Sequence, residues 1–272
     1  MSEERPSSSL FFKARVTVLL TLLFCVAVWA GHDIWSRRAR KAWTRTLEIG
    51  VVVVAVGPID DDAILALRAR VPALEARLAV EMGRYRAGAP RPFRFTVLGP
   101  VAGGAPPRSP GDGFLDAARH TYDLWRWRRD LDARAHVVAG AFDSRIYVAA
   151  RRPANDKRQS VEGESEDNGR IGTVSVELDR DMADLALAVV THETLHTLGA
   201  SDKYDAAGHA LVPVGLAEPG RVPLYPQRFI EVMSRGRPIA PALEKLPESV
   251  EELAIGPVTA VEIGWTSSAG TR

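Results

Sequence analysis

His192-Glu193-Thr194-Leu195-His196, followed by Gly199 and Asp202, restricts the local fold more than any other stretch of the chain. Imidazoles four residues apart lie about 40° apart around a helix axis, so a helix turns both toward one point. Glu193 falls beside that pair, placed to hold a water without itself being a ligand. Gly199 takes readily to the left-handed conformation that closes a helix. Three residues later Asp202 can swing back beneath the imidazoles as a third ligand, with Asp205 and His209 as nearby alternatives and Glu218 or Glu231 as distant ones. The segment therefore reads as a helix ended by a sharp turn. Its residue types suit a Zn2+ site with two imidazoles and a carboxylate.

The flanks support a helix. Asp179 is placed as an N-cap, with Asp181 and Asp184 near the positive end of the helix dipole. Leu185, Val189, His192 and His196 follow at helical spacing beside a second stripe of Leu187, Thr191, Leu195 and Leu198. Ile171 to Leu178 alternates as a strand and leads directly into the helix.

His192 to Asp202 resembles the extended motif of the metzincin zinc metalloproteases, in the Asp form that snapalysin-type proteases carry. Glu231-Val232-Met233-Ser234 is similar to the Met-turn of that family. The resemblance implies an α/β fold: a twisted, mostly parallel sheet with an antiparallel edge strand, an active-site helix, and a small C-terminal subdomain ending in a helix. It implies zinc on His192, His196 and Asp202, Glu193 as general base, Gly199 and Met233 as structural residues, and a peptide or protein substrate. It also implies that Ile171 to Leu178 is the edge strand, with Gly172, Thr173, Val174 and Ser175 pairing with an extended peptide. Arg235 stands where astacins and serralysins carry a tyrosine, leaving Tyr204 and Tyr225 as candidates for stabilising an oxyanion. The only cysteine is Cys25, so no cysteine-switch propeptide is visible. The alternative is a membrane-tethered zinc-binding module that holds peptides without cutting them, although binding alone does not need Glu193.

The remaining sequence divides at about residue 41. Residues 1–41 read as a tail and a membrane anchor or signal segment, with the apolar stretch at 16–31. Trp29 and Trp35 favour a retained single-pass transmembrane helix, whereas Val28-Trp29-Ala30 is similar to a signal cleavage site. Arginines after the stretch favour a cytoplasmic remainder by the positive-inside rule, whereas the resemblance to secreted enzymes implies an extracytoplasmic (periplasmic) catalytic domain, which is the expectation here. Secretion after signal cleavage is the alternative.

Residues 42–272 read as one catalytic domain. Leu47 to Val56, with four successive valines, suits a buried strand. Asp60 to Arg86 suits a helix that Pro72 kinks or restarts. Pro92 to Leu98 is a second strand. Phe114 to Asp130 is a helix with Leu115, Ala118, Tyr122 and Trp125 on one face. His136 to Ala149 supplies one or two further strands. Residues 151–170 form a polar loop, and the tail from Pro247 a last helix with a Ser249–Glu252 capping box and a kink at Pro257. A net charge of +1 gives no electrostatic case for nucleic acid. The arginine-over-lysine bias with abundant alanine points to a GC-rich bacterial source.

Overall fold

The computed structural model describes residues 10–109, 111, 113–153, 162–165 and 169–266. They fall into two units divided between Arg40 and Lys41. The first is made of helix α1 (Leu10–Lys41) as far as Arg40, and the segment of α1 from Phe12 is long and apolar enough to cross a membrane. A cleaved signal sequence shares that length and composition.

In the second unit, β1 (Leu47–Ala55) is an inner strand, second from one end, of a five-stranded sheet. It is flanked by β2 (Phe93–Ala102) and β3 (Ser144–Arg151), both parallel to it. Beyond β3 come β5 (Ile171–Glu177), again parallel, and β4 (Glu162–Ser165), antiparallel. The order is β2-β1-β3-β5-β4. This is the expected α/β architecture with a single antiparallel edge.

The valine run of β1 shows why both faces of the sheet are covered. Val51 and Val53 belong to the main core with α2 (Asp61–Gly83) and α4 (Ala183–His196). Val52 and Val54 face the other way, into a smaller cluster with Tyr147 and Leu131 of α3 (Phe114–Arg134). Alternate residues of a strand point to opposite faces, so a run of valines is what a doubly covered strand requires.

After α4 the chain forms the parallel pair β6 (Ile230–Glu231) and β9 (Leu253–Ala254), enclosing the hairpin β7 (Arg237–Ala240) and β8 (Leu243–Lys245). It ends in the short helix α5 (Pro257–Glu262). The Trp43 indole N–H donates to the Ile263 carbonyl at 2.8 Å, and its ring meets Trp265 edge-on. These contacts tie the end of the unit to its beginning.

Several expectations need correction. The antiparallel edge strand is β4, inside the stretch read as a polar loop; the remainder of that reading, residues 154–161 and 166–168, lies outside the described residues. Gly172, Thr173, Val174 and Ser175 sit on β5, which is paired on both sides, so they cannot accept a peptide as an added strand. α2 runs through Pro72 without interruption. The tail is a 3-10 turn (Val250–Glu252), then β9, then α5, with Pro257 in the first turn of α5, where its missing N–H costs nothing. α3 has the expected grouping of Leu115, Tyr122 and Trp125 on one face, which points outward.

Candidate metal centre

Asp179 starts the segment that carries the site. Its Oδ1 accepts from the backbone N–H groups of Asp181 and Met182 at 2.9 Å each. A 3-10 turn (Arg180–Met182) then runs into α4. The buried side of α4 packs Leu187, Val190 and Leu195 into the main core, which fixes its rotation about its own axis.

The helix ends in a Schellman motif. Ala200 N–H donates to the Leu195 carbonyl at 3.1 Å, Gly199 N–H to the His196 carbonyl at 2.8 Å, and Gly199 has φ of +84°. The same turn presents the Ala200 carbonyl to His196, whose Nδ1 lies 2.8 Å from it. His192 Nδ1 lies 2.9 Å from the Val232 carbonyl. A carbonyl can only accept, so each Nδ1 carries the proton and each Nε2 is left with its lone pair turned toward the site.

The two Nε2 atoms are 3.1 Å apart, and Asp202 Oδ1 lies 3.1 Å from each. Three donor atoms thus form a nearly equilateral triangle. Ligands around a tetrahedral zinc, at about 2.0–2.1 Å from it, are separated by about 3.3 Å. The residues therefore fit the ion: two neutral imidazoles and a carboxylate at nearly the required spacing. His192 and His196 are largely buried, while Asp202 is 44% exposed, leaving the triangle open on one side. Ligand atoms of His192, Glu193 and His196 also lie within 4.8 Å of one another, with Glu193 buried.

Burial pushes the His196 imidazolium down, but the hydrogen bond to Asp202 and the negative charges of Glu193 and Asp202 outweigh it, so its pKa is raised. Burial pushes the Asp202 carboxyl up, but in the metal-free chain an Nε2–H of either histidine, when its ring is protonated, can donate to it, and that contact holds the carboxyl far below the usual carboxylate range. Tyr204 is raised, by burial first and then by Asp202. Its ring stacks on His192 at 6.3 Å between centroids, and the Arg235 guanidinium lies 5.5 Å from the Tyr204 centroid.

Three of the other candidate ligands, Asp205, Glu218 and Glu231, are engaged elsewhere. Asp205 closes its own turn by accepting from Ala207 and His209 N–H. Glu218 pairs with Arg228. Glu231 is fully buried and accepts from Met233 N–H at 2.6 Å and Gly256 N–H at 3.1 Å. Burial raises its pKa. Met233 is itself fully buried in the main core, and its carbonyl accepts from Lys203 N–H at 2.9 Å.

A second set of residues around the site went unread in the sequence. Lys203, only 3% exposed, directs its ammonium to both Glu262 oxygens at 2.8 Å and to the Ser201 carbonyl and hydroxyl at 3.0 and 2.6 Å. Glu262 also accepts from Ser201 N–H and Oγ–H. Asp202 therefore sits between two residues that α5 holds in place. A lysine next to a ligand was the available signal, but its partner lies 59 residues away.

No family model matches the sequence, and no curated protein matches it. Among solved structures the chain is similar to archaemetzincin from Methanopyrus kandleri, with 16% identity over 60% of this chain and 78% of that one, at a TM-score of 0.32. An overlap of that extent decides nothing about chemistry, which rests here on the side chains of the site.

Proposed function

We propose that the chain is a zinc-dependent peptidase of metzincin type, with His192, His196 and Asp202 as ligands and Glu193 as general base. The observation that carries this is the 3.1 Å triangle of Nε2, Nε2 and Oδ1 beside a buried carboxylate. A zinc ion held there would supply the positive charge that makes water acidic near neutral pH and polarises a carbonyl.

The residues of the chain do the rest. Val232 and Ala200 hold both imidazoles in the tautomer that offers Nε2. Glu193 takes a proton from the attacking water and delivers it to the departing amine. Tyr204, stacked on His192, is the candidate donor to the developing oxyanion. Met233 and Gly199 act as structural residues: one fills the space under the turn at Val232, the other shapes the turn at Ala200. Among the described residues β4 has a single sheet neighbour, so an extended peptide would add along its outer edge, in place of the β5 residues first considered. α1 would serve as a single-pass anchor, with the catalytic unit on the extracytoplasmic side.

Glu193→Ala tests this reading. Equal zinc content in variant and parent, with cleavage of a peptide library by the parent alone, is the expected result. Zinc in both and cleavage in neither would make the chain a tethered peptide-binding module; cleavage by the variant would remove Glu193 from the mechanism.

A further inference from the structure

Helix α3 has one buried residue, Leu131, in its 21. It is seated on the sheet mainly by its C-terminal half, where Leu131 and Trp127 meet Tyr147. Its outward face is far from polar: Phe114 is 86% exposed, Leu115 80%, Tyr122 58% and Trp125 51%. At 100° per residue these four, together with Arg119, Arg126 and Arg129, fall within an arc of about 140°. The Arg129 guanidinium lies 5.3 Å from the Trp125 ring centroid, and Tyr122 and Trp125 are 5.9 Å apart.

The acids of α3 are distributed differently. Asp132 turns inward, accepting from the Tyr147 hydroxyl at 2.7 Å and pairing with Arg145. Asp123 lies 3.8 Å from Arg119, and Asp130 sits at the edge of the arc. Among the described residues no carboxylate lies within ion-pair distance of Arg126 or Arg129.

We propose that the outward face of α3 is a membrane-surface contact, with Phe114, Leu115, Tyr122 and Trp125 entering the headgroup region and Arg126 and Arg129 meeting anionic lipid headgroups. Aromatic and aliphatic side chains bordered by arginines are what an interfacial helix presents to a bilayer. Tryptophan and tyrosine favour the boundary between headgroups and acyl chains, and arginine stems can lie along apolar surface while their heads stay with phosphate. A protein partner or a second copy would have to bury Arg126 and Arg129 and supply carboxylates for them. An anionic lipid surface supplies compensating charge over its whole area. α1 is independently apolar enough to bring the chain to a bilayer. The contact would hold the catalytic unit against the surface and favour substrates close to it.

The test is sedimentation of residues 41–272, the unit that contains both hydrophobic clusters, with vesicles of phosphatidylcholine or of phosphatidylcholine mixed with phosphatidylglycerol. Binding to the mixed vesicles is expected, weakened at least about tenfold by Arg126→Glu with Arg129→Glu. Leu115→Ser with Trp125→Ser should weaken it as well, with a lost blue shift of tryptophan fluorescence. Leu65→Ser, at a 63% exposed position on α2, should leave it unchanged. All of these sites are exposed, and far-UV circular dichroism checks that the variants fold. No binding to either vesicle, equal binding by the α3 variants, or a concentration-dependent dimer that those variants abolish would each overturn the proposal.

Discussion

Replacing Glu262 by Gln would strand a buried ammonium next to the third candidate ligand. In the native chain Lys203 Nζ has both Glu262 oxygens at 2.8 Å and two Ser201 oxygens at 2.6 and 3.0 Å. Removing one partner of a buried ion pair costs about 3–5 kcal/mol, mostly because the remaining charge is left desolvated. The Glu262 side chain is 25% exposed and water can take part of its place, so about 2–3 kcal/mol is the better figure. Lys203→Met should cost less, about 1 kcal/mol, because Glu262 keeps two hydrogen bonds to Ser201 and some solvent. The double variant should be more stable than Glu262→Gln alone, since it no longer contains the stranded charge. Urea unfolding of the zinc-free protein gives these differences, and chelator competition gives zinc affinity. Because Ser201 and Lys203 flank Asp202, Glu262→Gln should weaken zinc binding about 10- to 100-fold, as loss of an outer support does. A Glu262→Gln protein with parental stability and parental zinc affinity would refute the role of the Lys203–Glu262 pair in holding Asp202.

Two further outcomes follow from local geometry. Burial raises the Glu231 carboxyl above 4.5, so its contribution to stability is full below that value and is lost as pH rises through the folded-state pKa; Glu231→Gln should flatten that part of a stability–pH profile measured by urea unfolding, and an unchanged slope would show that Glu231 does not titrate there. Gly199→Ala must hold a Cβ at φ of +84°, costing about 1–2 kcal/mol and disturbing the Ala200 carbonyl on His196, so both the thermal midpoint and zinc affinity should fall.

The helix that carries His192 and His196 is legible in the sequence because everything that makes it is local: an Asp cap, apolar spacing, and a glycine at the position where the turn needs one. The valine strand was legible for the same reason. β4 was not, because its Glu-Gly-Glu-Ser stretch has no apolar alternation and is strand only through pairing with β5. The edge was therefore assigned to β5, whose alternation reveals a strand but not how many neighbours it has. Pro257 suits either a kink inside a helix or the first turn of one, and the sequence does not show that a helix begins there. The groups that orient the histidines are backbone carbonyls, Val232 and Ala200, and any residue has one. On α3 the apolar spacing shows that Leu115, Tyr122 and Trp125 share one face but not which way that face points, and the structure turns it outward.

The zinc K-edge X-ray absorption spectrum of the full-length protein at one zinc per chain tests the central claim most directly. Two imidazole nitrogens and carboxylate oxygen at about 2.0–2.1 Å, with the oxygen contribution reduced in Asp202→Ala, is the expected result. Failure to take up stoichiometric zinc, or a first shell unchanged by Asp202→Ala, would contradict the assignment of His192, His196 and Asp202 as the metal centre.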